Sequence, residues 1–129
     1  MNLESPKITV NKSSKELFDY LSKVENFESI MPDNTDKFEA REDSFVFALK
    51  GMPEIKLRML EGEEPKKVVL GSASEKFPFS LTADIQELEA DKCEAQLLFS
   101  GEFNPMVAMM VKNPLQRFID TLIENIGKN

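Results

Sequence analysis

The order of the hydrophobic patterns is the feature that most constrains the fold of this chain. Ser13, three residues before Glu16, forms a capping-box pattern that predicts an early amphipathic helix. A continuous series of segments with alternating apolar and polar residues follows, and one long apolar segment (105–126) comes after them. A sheet built from one continuous run and covered by a single helix favours a curved sheet that packs around that helix. Such an arrangement tends to enclose a cavity.

The alternating segments predict an antiparallel sheet whose sequential strands are neighbours. A first short strand is expected at 8–10, a second short helix at 26–31 before Pro32, and six strands between residues 37 and 103. Period-two alternation places one set of apolar residues on the concave face, beneath the final helix. The set is Ile55, Leu57, Met59, Leu81, Ala83, Ile85, Leu97 and Phe99.

The final helix has clear end signals and two unlike halves. Asn104 is the predicted N-cap, Pro105 the first helical residue, and Gly127 the residue after the C-cap. Residues 106–111 are apolar nearly all round, whereas residues 115–126 place apolar side chains on one face of the helix and polar side chains on the other. Pro114 lies between the halves and is predicted to bend the helix, because proline removes a helical hydrogen bond. The alternative is that Asn113 caps a separate second helix.

Charge and composition exclude several classes of function. The 129 residues fit one domain, and a net charge of −7 disfavours nucleic acids, which bind through Lys and Arg. The chain contains no histidine and a single cysteine, Cys93, so it has no histidine base and no zinc-binding cysteine pair. We therefore expect no transition metal and no cofactor. No signal sequence and no membrane-spanning segment is recognisable, so a cytoplasmic location is expected.

The order of predicted elements resembles the START-related (SRPBCC) helix-grip superfamily, which includes birch-pollen-allergen-like and polyketide-cyclase-like proteins. The resemblance covers the whole chain and is closest in the final helix, from Phe103-Asn104-Pro105 to Leu115-Gln116-Arg117-Phe118. It implies a single α+β domain (1–129). About seven antiparallel strands would wrap around a long C-terminal helix, with two short helices after strand 1. The glycine-rich loop of the plant members is not matched, because Gly51 stands alone beside Met52.

The same resemblance implies an apolar cavity between the sheet and the final helix. The leading functional hypothesis is therefore a binding or carrier protein for a small hydrophobic ligand, such as a lipid, a polyketide or an aromatic compound. Methionine favours this interpretation, because its flexible thioether adapts to varied apolar partners. The predicted ligand-binding residues are Phe47, Met59, Leu81, Leu97, Phe99, Phe103, Met106 and Met110. Ordinary core packing of the same side chains is the competing interpretation.

Two further hypotheses come from other functional classes. The first is an enzyme resembling polyketide cyclases or dehydratases, whose acid–base groups would be isolated polar side chains such as Glu87 or Ser72. The second is a protein-interaction module that presents the segment between Met106 and Val111 to a partner. No catalytic constellation is visible, and Tyr20 is interpreted as an amphipathic boundary residue. Cys93 is interpreted as a small buried side chain, and the acidic residues near Glu63 as a solvated turn.

Overall fold

The computed structural model describes residues 1–52, 54–72 and 79–128. Its strands and helices follow the predicted order. Before the main run of strands lie β1 (Asn2–Glu4), β2 (Ile8–Val10), helix α1 (Ser14–Leu21) and a 3-10 helix (Val24–Ile30). After them come β3 (Thr35–Ala40), β4 (Ser44–Leu49), β5 (Ile55–Glu63), β6 (Lys67–Ser72), β7 (Phe79–Glu89), β8 (Lys92–Gly101) and helix α2 (Pro105–Lys128). The predicted continuation of the β6 strand to residues 73–74 lies outside the described residues.

The described strands form one antiparallel sheet in the order β1-β8-β7-β6-β5-β4-β3, and β2 also pairs with β8. Both β1 and β2 pair with β8, where the sequence predicted one short strand, so the sheet has eight strands. Pro6 lies between β1 and β2 and interrupts their pairing with β8, since it has no N–H to donate. Ser5 bridges the gap. Its N–H donates to the Leu97 carbonyl at 2.9 Å, and its Oγ accepts from the Leu97 N–H at 2.8 Å.

The capping box of α1 is present as predicted. The Glu16 N–H donates to Ser13 Oγ at 3.1 Å, and the Ser13 N–H donates to Glu16 Oε1 at 3.3 Å. The second short helix is the 3-10 helix, which begins two residues earlier than the predicted 26–31. It buries Phe27 and Ile30, and the Phe27 ring stacks on Phe45 of β4 with 5.0 Å between ring centroids. Helix α1 contacts β6 and β7, and the 3-10 helix contacts β3 and β4, so both pack on the sheet.

The concave face of the sheet has the predicted composition. In the register of the sheet Leu81 lies opposite Phe99 and Ala83 opposite Leu97, whereas Lys56 of β5 is exposed. Six of the predicted residues are buried and two are half-buried. The buried ones are Leu57, Leu81, Ala83, Ile85, Leu97 and Phe99, and the half-buried ones are Ile55 and Met59. The alternating pattern therefore predicts the correct face for the whole set.

Helix α2 begins as predicted but ends later. The Val107 N–H donates to Asn104 Oδ1 at 2.9 Å, which confirms the N-cap. Gly127 lies inside the helix, so its prediction as the residue after the C-cap is wrong. A Cβ at this position would lie 2.7 Å from Ile8 Cδ1, the end of a β2 side chain that would have to shift. The helix is also continuous through Pro114, so the alternative of two separate helices is wrong, whereas the bend stays a prediction.

The two halves of α2 differ in burial as well as in sequence. The buried side chains all belong to the second half and join the core cluster: Leu115, Phe118, Ile119, Leu122, Ile123 and Ile126. In the first half Met106, Met109 and Met110 are 74%, 83% and 71% exposed. The second half therefore fixes the helix to the sheet. Among the described helices, none is both long enough and apolar enough to cross a membrane.

Candidate functional site

A cavity of about 660 Å³ lies between the concave face of the sheet and α2. Its size falls within the range of small-molecule sites in proteins, roughly 300–1,000 Å³. The helix contributes one stripe of side chains to the wall. Their positions follow the first residue by three, four, seven, eight and eleven, the spacing of one helix face. The stripe consists of Val107, Met110, Val111, Pro114, Leu115 and Phe118. The cavity therefore begins over the exposed first half of α2 and reaches the anchored second half.

The sheet side of the cavity is rich in aromatic rings. Phe79 of β7 stacks on Phe99 of β8 with 5.4 Å between centroids, and Phe103 follows with its ring plane 3° from that of Phe99. On the opposite side Phe47 of β4 stacks on Phe118 of α2 at 5.0 Å. Ile55, Leu57 and Leu81 add further apolar side chains from the sheet to the wall. Aromatic side chains on both sides make these walls apolar, which suits an apolar guest.

The cavity opens to solvent near the turn after β4. Gly51, Glu54 and Lys56 contribute to its rim and are exposed, and Met52 beside them is half-buried. Lys56 alternates with Ile55 and Leu57, so its side chain points to the convex face and its backbone borders the cavity. The Glu54 carboxylate pairs with the Lys37 ammonium group at 3.3 Å. The rim therefore brings little charge into the apolar interior.

Among the described residues, Ser72 is the polar residue of the concave face that lines the cavity. It lies opposite Leu57 in the pairing of β5 with β6 and is half-buried. Of the two acid–base candidates named from the sequence, Ser72 thus lines the cavity. Glu87 does not, because it is exposed near the end of β7, where the pairing with β8 is irregular. The expectation that Glu87 lies inside the cavity is wrong.

Five of the predicted ligand-binding residues line the cavity. They are Phe47, Leu81, Phe99, Phe103 and Met110. The other three do not. Met59 lies opposite Leu70, further along β5, Leu97 is buried opposite Ala83, and Met106 is exposed on another side of α2. A role in ligand binding stays a prediction for all eight residues.

Sequence reasoning overlooked several lining residues of α2, although the sequence carried a signal for them. The buried positions 115 and 118 of the amphipathic half, extended backward in steps of three or four residues, reach Val107, Val111 and Pro114. Phe79 carried no such signal. It is next to residues outside the described ranges, and no alternating pattern continues through it.

The other side chains with reactive or metal-binding groups do not form a second candidate site among the described residues. The Tyr20 hydroxyl hydrogen-bonds Ser29 Oγ, and the Lys12 ammonium lies 4.8 Å from the centre of the Tyr20 ring. Tyr20 is half-buried, as the boundary interpretation predicts. Among the described residues, no three acidic or cysteine side chains come together as ligands for a metal ion. The absence of a metal or cofactor in the working protein stays a prediction.

Cys93 is expected to be chemically inert in the folded protein. It is fully buried, and burial raises the pKa of its thiol, with a smaller contribution from the negative charge of Glu16. Because the thiolate is the reactive form, we expect no reaction with an aromatic disulfide reagent at pH 8, followed by stoichiometric reaction in urea. The absorbance of the released thiol measures both rates. Rapid labelling of the folded protein would contradict this prediction.

Comparison with known proteins gives similarity in structure alone. No protein-family model matches the chain, and no curated protein sequence matches it. Among solved structures, a point mutant of norcoclaurine synthase from Thalictrum flavum in complex with a transition-state analogue superposes with a TM-score of 0.74. The match is at 12% identity and covers 99% of this chain and 92% of that one.

Two further structures extend this similarity. A START superfamily protein from Mycobacterium smegmatis gives a TM-score of 0.68 at 14% identity and covers 98% of this chain and 97% of its own. The di-domain ARO/CYC protein BexL of a biosynthetic pathway gives 0.63 at 14% identity over 98% of this chain and 46% of its own. Identities this low establish the fold and leave the function open. The predicted helix-grip fold is confirmed.

Proposed function

We propose that this chain, which has the START-like helix-grip fold, binds or carries a small hydrophobic ligand in the cavity between the sheet and α2. The observation that supports the proposal is the 660 Å³ cavity, with its largely apolar walls and an opening to solvent. Lipids, polyketides and aromatic compounds all match this chemistry. The stacked rings of Phe79, Phe99 and Phe103 add a large apolar area to one wall, which favours an apolar ligand.

The size of the cavity argues for a guest and against an ordinary core. Protein interiors are packed to the density of organic crystals, and voids larger than a water molecule are few. This cavity is open to solvent and, at about 660 Å³, is many times larger than such a void. Water beside so much apolar surface is released favourably when an apolar ligand enters.

Ligand binding is preferred to catalysis because the described part of the cavity wall contains few polar groups. An acid–base enzyme needs a carboxylate or a comparable group positioned beside its substrate. Within residues 1–52, 54–72 and 79–128, the cavity wall includes one carboxylate residue, Glu54, which is exposed at the rim and paired with Lys37. Two structural neighbours are named as a synthase and an ARO/CYC protein, so a cyclase-like or dehydratase-like activity is the alternative.

The location and the partners of the chain are also predictions. A ligand-binding protein with a net charge of −7 is expected to have no nucleic acid partner. A cytoplasmic location stays a prediction. A protein partner that contacts the exposed methionines of α2 is the third hypothesis, and it would bind on the surface of the helix.

A matched pair of leucine variants tests whether the cavity is free volume. Leu115 and Leu122 are both buried on α2, but Leu115 lines the cavity and Leu122 does not. In Leu115→Phe the added ring can enter the cavity, so the free energy of unfolding should change by less than about 1 kcal/mol. In Leu122→Phe overpacking should cost about 1–3 kcal/mol. Urea unfolding followed by circular dichroism measures both values.

Binding of a neutral apolar dye completes the test. Wild-type protein should bind such a dye saturably, and fluorescence titration gives the Kd. Leu115→Phe should raise the Kd about tenfold, which corresponds to about 1.4 kcal/mol, whereas Leu122→Phe should leave it unchanged. A wild type that binds no dye, with equal destabilisation by both variants, would reject the cavity in favour of an ordinary core.

A further inference from the structure

The methionines of α2 differ from the other methionines in their exposure. Met106, Met109 and Met110 are 74%, 83% and 71% exposed, whereas the remaining methionines are half-buried. The half-buried set is Met1, Met31, Met52 and Met59. Oxidation of a thioether requires access of the oxidant to the sulfur, so accessible methionines are expected to react first.

One of the three exposed methionines also belongs to the cavity. Met110 lies on the helix stripe that lines it, together with Val107 and Val111, whereas Met106 and Met109 do not. Met110 is therefore both accessible to solvent and part of the cavity wall. A change in its polarity would be felt by a ligand at the opening.

The chemistry of the change is a two-electron oxidation by a peroxide. A lone pair of the Met110 sulfur attacks one oxygen of hydrogen peroxide, an S–O bond forms and the O–O bond breaks. The departing hydroxide takes up the proton left on the transferred oxygen and becomes water. The product, methionine sulfoxide, is polar, and methionine sulfoxide reductases return it to the thioether.

We propose that reversible oxidation of Met110 lowers the affinity of the cavity for its apolar ligand, so that peroxide regulates binding. This inference rests on the proposed ligand-binding function. A bound ligand removes water from the part of the Met110 side chain that it covers, and removing a sulfoxide oxygen from water is unfavourable. Loss of affinity is therefore expected without unfolding, because Met110 lies outside the buried set of α2.

The experiment compares reduced and oxidised protein with the same neutral apolar dye. Limiting hydrogen peroxide followed by peptide mass spectrometry should show sulfoxide at residues 106, 109 and 110 before residues 31, 52 and 59. The Kd of the dye should rise about three- to tenfold after oxidation. Treatment with methionine sulfoxide reductases should return it to the starting value, and circular dichroism should show the same fold throughout.

Two leucine variants assign the effect to one residue. Leucine has nearly the volume of methionine and cannot form a sulfoxide. The ratio of the Kd of oxidised to reduced protein is measured within each variant. This ratio should fall to about 1 in Met110→Leu and should equal the wild-type ratio in Met109→Leu, whose side chain does not line the cavity.

The outcomes separate this inference from the function on which it rests. Reduced wild-type protein that binds no dye contradicts the proposed function and, with it, the inference. Reduced protein that binds the dye, with an unchanged Kd after complete oxidation of Met110, overturns the inference alone. An equal rise in the Kd of oxidised Met110→Leu also overturns it, because another side chain is then responsible.

Discussion

Leu122→Asp is expected to leave the chain largely unfolded at pH 7. Leu122 is fully buried in the second half of α2, where the helix joins the core. Truncating a buried leucine costs about 2–5 kcal/mol, and an ionised carboxylate without a partner adds a further penalty. The total stability of a domain is about 5–15 kcal/mol, so this single change removes much or all of it. Circular dichroism and urea unfolding at pH 7 measure the loss.

The pH dependence of the free energy of unfolding distinguishes the effect of the introduced charge from the effect of a polar side chain. Burial raises the pKa of the introduced carboxyl in the folded state above its unfolded value of about 3.9. The penalty for the charge is therefore absent below about pH 4 and grows as the pH rises. Compared with Leu122→Asn, the aspartate variant should lose stability between pH 4 and 7, while the asparagine variant follows the wild type. Near wild-type stability of Leu122→Asp at pH 7 would show that this half of α2 is not buried.

Phe118→Ala is expected to lower the free energy of unfolding by about 3–5 kcal/mol, the usual cost of removing a buried aromatic ring. Phe118 is 5% exposed, and its ring stacks on Phe47 with 5.0 Å between centroids and 12° between planes. It is the aromatic contact between α2 and β4. Met109→Ala on the same helix is the control, because Met109 is 83% exposed and should change stability by less than about 0.5 kcal/mol.

The midpoint of urea unfolding for the two variants decides this prediction. A similar small loss for both would mean that the stack between Phe47 and Phe118 does not hold the helix to the sheet. Because Phe118 also lines the cavity, its removal enlarges the cavity. We therefore expect dye binding to persist at low denaturant concentration in the fraction that remains folded.

The sequence predicted those parts of the fold that depend on local periodicity. Period-two alternation placed Leu57 and Leu81 on the concave face, and the spacing of Leu115, Phe118 and Leu122 predicted the buried side of α2. The Ser13 and Asn104 caps were readable because a cap acts on backbone groups two or three residues away. Each of these features is determined within a few residues of the chain.

The parts that were wrong or overlooked depend on distances between elements. Gly127 looked like a helix terminator, but α2 continues through it to Lys128 and it lies beside Ile8, more than a hundred residues away in sequence. Met106 looked equivalent to Met110, because a segment that is apolar on all sides has no polar face to show which side meets the sheet. The anchored half resolves this ambiguity, since it determines which positions of the first half point to the cavity.

A continuous helix with one anchored half and one exposed half has a consequence for how the chain tolerates change. Substitutions at Leu122 or Ile119 alter the stability of the whole domain, whereas those at Met106, Met109 or Met110 alter a surface with few packing partners. Met110, the one of these three that lines the cavity, can therefore be substituted at little thermodynamic cost while the helix stays in place. Under the proposed function, we expect such substitutions to change ligand preference without loss of the fold.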